Sequence, residues 1–111
     1  MDCVFCKIVN NEIPSAKVYE DDMILAFRDI SPTAPTHILF IPKRHIASVA
    51  EITEADGGLL GHIFAKIPEV AHAEKLDSYR VVSNCGKDAG QTVEHLHFHL
   101  IGGRELSLVL G

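Results

Sequence analysis

The chain has no tryptophan, only three cysteines in 111 residues, and fewer basic residues (10) than acidic ones (15). Each shortage excludes something. An odd and small cysteine count is no disulfide scaffold, so the Cys3-Val4-Phe5-Cys6 pair suits metal or redox use in a reducing compartment. A net charge of −5 is the wrong sign for bulk nucleic-acid binding, which needs a basic footprint, but it leaves room for single nucleotides. No stretch approaches the roughly 18 apolar residues of a membrane span, and the first residues lack the basic-then-apolar order of a secretion signal. A cytoplasmic protein is therefore expected, with neither membrane nor nucleic acid as partner. Internal repeats, linkers and low-complexity segments are missing too. What remains is one domain, 1–111, long enough to bury about two-thirds of its unfolded surface.

Histidine, by contrast, is plentiful. Three of the seven fall at His95, His97 and His99 and alternate with Leu96, Phe98 and Leu100. In an extended strand such residues share one face while the apolar ones share the other; a helix would turn alternate residues by roughly 200° and scatter them. Three uses compete for that face: a metal-binding strand, a nucleophilic histidine flanked by imidazole helpers, or a solvated edge. The loop that precedes it, Asn84-Cys85-Gly86-Lys87-Asp88-Ala89-Gly90-Gln91-Thr92, is rich in glycine and side-chain amides. Such a loop can turn backbone N–H groups toward a phosphate, with Asn84, Gln91 and Thr92 as additional donors, although ordinary turn chemistry looks similar.

Periodicity places further strands at 16–20, 23–28, 37–41 and 79–83, with the histidine strand at 93–101. A long helix is expected from an N-cap at Thr53, with an apolar stripe of Leu60, Ile63, Phe64, Ile67, Val70 and Ala71 against the sheet. Pro68 should kink or divide it. His62 and His72 are expected at the surface. The implied class is α+β: a five-stranded, mostly antiparallel sheet packed by one long helix and a short N-terminal helix. Cys3 and Cys6 can reach one ion across a two-residue spacer, but a closed zinc site needs four ligands. A thioredoxin-like redox pair lacks its usual βαβ surroundings. Asp29, at a strand end before a loop with two prolines, can accept two hydrogen bonds from a ribose diol or can cap its own loop through the amides of Ser31 or Thr33.

Gln91-Thr92-Val93 followed by His95-x-His97-x-His99-Leu100-Ile101 resembles the histidine triad (HIT) signature. The similarity extends through Cys3-Val-Phe-Cys6-Lys-Ile, Ile13-Pro-Ser-Ala-Lys-Val-Tyr-Glu, Ala26-Phe-Arg-Asp29-Ile-Ser-Pro and Ile41-Pro-Lys-Arg-His45, and so covers nearly the whole chain. These segments are similar to the Hint-type branch of small nucleotide hydrolases. The resemblance implies a HIT-like fold and an adenosine 5′-monophosphoramidase-like activity on purine nucleoside 5′-phosphoramidates, passing through a nucleotidyl-histidine on His97. It implies His99 as donor to the phosphoryl oxygens, His95 in a mainly structural role and His37 as a fourth histidine bonded to the triad. It implies nucleotide contacts from Phe27 and Ile30 to the base, from Asp29 to the ribose, and from Asn84, Gly90, Gln91 and Thr92 around the phosphate. Cys3, Cys6, His45 and His95 become the four ligands of a structural zinc ion. A homodimer is implied as well, and the apolar tail at 106–110 makes sense against a partner. Dinucleoside polyphosphate hydrolysis, zinc-dependent hydrolysis through all three triad histidines, and a nucleotide-binding module without turnover are the alternatives. Relatives often carry a tryptophan near the C-terminus that this sequence lacks, so leaving-group preference is left open.

Overall fold

A computed structural model describes residues 3–108. Five strands, β1 (Lys17–Glu20), β2 (Ile24–Arg28), β3 (Thr36–Pro42), β4 (Tyr79–Val82) and β5 (Phe98–Gly102), form one antiparallel sheet in the order β1-β2-β3-β5-β4. Helix α1 (Val4–Val9) covers one face and α2 (Gly57–Ala73) the other. Because β2 and β3 are sandwiched between the two helices, both strands are buried on both sides and read as continuous apolar runs. Ile24, Ala26, Ile38, Phe40, Leu96, Phe98 and Leu100 meet Ile63, Ile67, Val70 and Ala71 of α2. Leu25, Phe27, Leu39 and Ile41 meet Phe5 and Ile8 of α1. His37, His95, His97 and His99 lie on this second side.

Four expectations need correction. The histidine strand does not run from 93: the ladder begins at Phe98, and residues 93–97 approach it as irregular chain. The cause is the partner strand. Phe98 stands opposite Phe40, so two residues earlier Leu96 would meet Pro42, which has no N–H to contribute. The Leu96 N–H donates instead to the carbonyl of Ile46. Second, Pro68 does not divide α2, which is continuous through it. Proline removes the donor for the Phe64 carbonyl, but both residues are exposed and solvent can supply the partner. Third, Phe64 is half exposed rather than part of the buried stripe, and its ring meets that of Phe98 edge to face with centroids 5.1 Å apart. Fourth, His62 is not simply at the surface, since its Nε2 pairs with Asp21 in the β1–β2 turn. That carboxylate also accepts from the Tyr19 hydroxyl and the amides of Met23 and Ile24, and these bonds hold it well below the usual carboxylate range despite burial. His72 is exposed as expected. The helix entry is a 3₁₀ turn at Glu54–Asp56, where the Asp56 carboxylate reaches back to the Thr53 N–H at 2.9 Å. Of the apolar tail, Val109 and Leu110 lie outside the described residues, while Leu108 is exposed.

Candidate active site and metal centre

A cavity of about 520 Å³ lies between α1 and the sheet. Its floor is apolar, built from Phe5, Ile8, Phe27 and Leu39, and its polar wall carries Asp29, His37, His97, His99 and Thr92. Strand alternation explains the wall: His37 and Leu39 point to the same side of β3, and His99 stands opposite Leu39 in the neighbouring strand. His97 precedes the ladder, and its ring packs edge-on against Phe5, with centroids 5.1 Å apart. Phe5 is a cavity residue that composition and periodicity miss. Its position between Cys3 and Cys6 is the available signal, because a cysteine pair that meets His95 must carry Phe5 to the histidines.

The hydrogen bonds assign the ring protons. A backbone carbonyl can only accept, so the His97 Nδ1–H donates to the His95 carbonyl at 2.7 Å and leaves Nε2 with a free lone pair. The Thr33 N–H donates to His37 Nδ1 at 3.2 Å, which puts the proton of a neutral His37 on Nε2. That proton is then given to His99 Nδ1 at 2.8 Å, and His99 carries its own proton on Nε2. Burial pushes both rings toward the neutral form. It lowers His37 against the opposing pull of Asp29, and with the neighbouring His97 and His37 it lowers His99 to about 4. The wall therefore offers a lone pair on one imidazole and an N–H on the next, the complement needed to attack and to hold a phosphoryl group.

Asp29, His37 and His99 also gather three ligand-type atoms. The Thr33 amide argues against a metal there. A cation on His37 Nε2 would need the proton moved to Nδ1, where it would meet the Thr33 N–H head-on. Asp29 makes the loop cap, with Oδ1 accepting from the Ser31 N–H at 2.8 Å, while Oδ2 lies 3.5 Å from His37 Nε2 on the cavity wall. Ile30 is nearly fully exposed at the rim.

The glycine loop is assembled differently from expectation. Asn84, Gly90 and Gln91 do not reach the cavity wall. Asn84 donates to the Ala89 carbonyl; Gln91 accepts from the Gly86 N–H and donates to the carbonyls of Ala47 and Val93. The amides of Gly90 and Gln91 close the turn onto Lys87 and Gly86. A left-handed Gly90 makes that turn possible, at φ +94°. These residues shape the loop rather than line the pocket. Thr92 does line it, with Val93, and among the described residues no backbone hydrogen bond engages either amide.

On the far side of His97 the chain builds a second cluster. Cys3 Sγ, Cys6 Sγ, His45 Nδ1 and His95 Nδ1 all lie within 4.8 Å of one another. His95 is fully buried, and its Nε2–H donates to the Pro42 carbonyl at 2.8 Å, which leaves Nδ1 unprotonated toward the sulfurs. The two Nδ1 atoms are 3.2 Å apart, Cys3 and Cys6 Sγ are 3.4 and 3.6 Å from His95 Nδ1, and Cys6 Sγ is 3.4 Å from His45 Nδ1. The two nitrogens cannot bond each other unless one carries a proton. Together the four atoms are the donor set of a four-ligand metal site. Among the described residues no helix is long and apolar enough to cross a membrane.

Residues 2–109 match the family model described as "Scavenger mRNA decapping enzyme C-term binding". The chain is 51% identical to an uncharacterized HIT-like protein of Synechococcus elongatus, over 96% of this chain and 94% of that one. It is 43% identical to the purine nucleoside phosphoramidase of Escherichia coli, over 98% and 93% respectively. A HIT family hydrolase of Legionella pneumophila has a crystal structure that superposes with a TM-score of 0.94 at 48% identity, covering 96% of this chain and 97% of that one. With its triad at His95, His97 and His99 and these relatives along nearly its full length, the chain belongs to the histidine triad family.

Proposed function

We propose that the protein hydrolyses purine nucleoside 5′-phosphoramidates to a nucleoside monophosphate and an amine, through a nucleotide carried covalently on His97. The observation that carries this reading is the bond from His97 Nδ1–H to the His95 carbonyl, which reserves Nε2 as a nucleophile on a residue of the cavity wall. Nε2 attacks the α-phosphorus, the phosphorus–nitrogen bond breaks, and the nitrogen takes up a proton from solvent and departs as the amine. Water then attacks the same phosphorus and gives its proton to solvent, the bond to Nε2 breaks, and the monophosphate leaves. His99 Nε2–H and the amides of Thr92 and Val93 stabilise charge on the phosphoryl oxygens. The base lies on Phe27 and under Ile30, and Asp29 Oδ2 accepts from the ribose. The activity named for the E. coli relative is of the same class.

Zinc belongs to the same proposal, as a structural ion on Cys3, Cys6, His45 and His95. Bond lengths of about 2.0 to 2.3 Å around a tetrahedral zinc place its ligand atoms roughly 3.3 to 3.8 Å apart; four of the six pairs here are 3.2 to 3.6 Å apart, and the other two lie within 4.8 Å. Four protein ligands close the site, so bound zinc supplies a cross-link between α1 and the triad segment and leaves no position for substrate. Elemental analysis should find about one zinc per chain; protein isolated without chelator and free of stoichiometric metal would remove the ion from the proposal. A homodimer is also proposed, supported by the exposed apolar side chains of Phe64, Tyr79 and Leu108 and by β4 at an open sheet edge. Sedimentation at micromolar concentration reads it directly.

The activity is tested with adenosine 5′-phosphoramidate. Release of AMP is expected. AMP binding without release would leave a binding module, and cleavage only of dinucleoside polyphosphates would change the substrate class while keeping the nucleophile.

A further inference from the structure

We propose that Arg104 is a positioning residue that sets the proton arrangement of the His37–His99 pair through Thr33. This inference rests on the reading of His99 Nε2–H as the donor to the phosphoryl group. A neutral imidazole has two tautomers of similar energy, so its neighbours decide which nitrogen carries the proton. For His37 the neighbour on the Nδ1 side is the Thr33 N–H, at 3.2 Å, with the Thr33 hydroxyl at 3.5 Å, while Asp29 Oδ2 lies 3.5 Å from Nε2 and favours the same tautomer. Thr33 is itself exposed and sits in the loop between β2 and β3, outside any ladder. Its carbonyl is held from across the fold: Arg104, just beyond β5, donates to it through Nη2 at 2.8 Å and uses Nη1 to steady itself on the Glu105 carbonyl at 2.9 Å.

Gly103 brings Arg104 to that place. A Cβ on Gly103 would fall 2.9 Å from Pro35 Cβ, and the backbone there has φ +96°. Glycine alone lets the end of β5 pass so close to the 33–36 segment. The relay then runs from the Arg104 guanidinium to the Thr33 carbonyl, from the Thr33 N–H to His37 Nδ1, and from His37 Nε2–H to His99 Nδ1. If Thr33 drifts, His37 can protonate Nδ1 and present a lone pair to His99. The His99 proton must then move to Nδ1, and Nε2 faces the phosphoryl oxygens as a lone pair.

The experiment uses full-length protein labelled with ¹⁵N in histidine, free of nucleotide, near pH 7.5. Long-range ¹H–¹⁵N correlations report which ring nitrogen carries each proton. In the unmodified protein His37 and His99 should both be protonated at Nε2. Arg104→Met, which removes the donor but keeps the aliphatic stem of an exposed residue, should show a mixture with the Nδ1–H form. Its kcat on adenosine 5′-phosphoramidate should fall roughly tenfold at unchanged KM, the scale of one ordinary hydrogen bond. Arg104→Lys can still donate to Thr33 and should restore both the spectrum and most of the rate. Unchanged tautomers in Arg104→Met would overturn the proposal, as would a Lys variant that behaves like Met or a native His99 protonated at Nδ1. Because the spectra need no substrate, a protein inactive on phosphoramidates would remove the proposed activity while leaving this result to stand or fall by itself.

Discussion

His95 and His97 are two residues apart on one segment, yet they face opposite chemical surroundings and present opposite ring nitrogens. His95 ties up Nε2 on the Pro42 carbonyl and turns its fully buried Nδ1 toward Cys3, Cys6 and His45. His97 ties up Nδ1 on the His95 carbonyl and leaves Nε2 for the cavity. His99 differs again, accepting on Nδ1 from His37 and keeping its N–H for whatever enters. Three identical side chains thus become a metal-type ligand, a lone-pair donor and an N–H donor through one hydrogen bond each. The partner of the occupied nitrogen, not the residue type, assigns the role.

The largest effect is expected where this contrast is most chemical. His97→Asn keeps polarity and approximate size but has no ring nitrogen to form the covalent bond, so turnover of adenosine 5′-phosphoramidate should fall by several orders of magnitude while AMP still binds. A steady-state assay with parallel AMP titration reads both, and turnover near the native level would dissolve the distinction between His97 and its neighbours. His99→Ala sharpens the comparison. It removes one of several donors, and the rate should drop roughly 10² to 10³-fold, less than for His97→Asn. An equal loss in both variants would mean that the two rings act as one unit.

Much of this division was legible before any coordinates. Alternation across 95–100 sorted Leu96, Phe98 and Leu100 to the α2 core and the imidazoles to the other side, because side-chain period survives even where ladder pairing does not. The structure brings Cys3, Cys6, His45 and His95 together as the resemblance implied, while the ion itself belongs to the proposal. The glycine loop was not legible. Its amides and glycine-rich spelling fit a phosphate cradle, but Asn84 and Gln91 satisfy carbonyls of the turn itself and of Ala47, which is distant in sequence. The pairing of His62 with Asp21 was equally hidden, as it depends on how the β1–β2 turn docks on α2. Pro42 did carry a usable signal: a proline in the partner strand limits how far the histidine strand can pair.

Asp29→Ala comes next in size. Oδ2 is the carboxylate oxygen left on the cavity wall, so AMP affinity should weaken by about 1 to 3 kcal/mol by calorimetric titration. Unchanged affinity would reduce Asp29 to its bond with the Ser31 amide. The smallest effect concerns protonation. His99 is held down to about 4 chiefly by burial, below the roughly 6.5 of an unfolded histidine. Its neutral form is favoured by folding, so the contribution is fully present above pH 6.5 and is lost as pH falls from there toward 4, where the unfolded chain binds the extra proton. An NMR titration should find the His99 imidazole still neutral at pH 5.5. A midpoint near 6.5 would contradict the burial argument.

The central claim is that His97, and not another triad histidine, forms the covalent bond. The most direct test is rapid quenching of single-turnover reactions with adenosine 5′-phosphoramidate labelled in the nucleotide, followed by location of acid-labile label on the protein. Label should appear within a turnover, map to the peptide containing His97 and vanish in His97→Asn. Label retained at the native level in His97→Asn would place the nucleophile elsewhere and contradict the account.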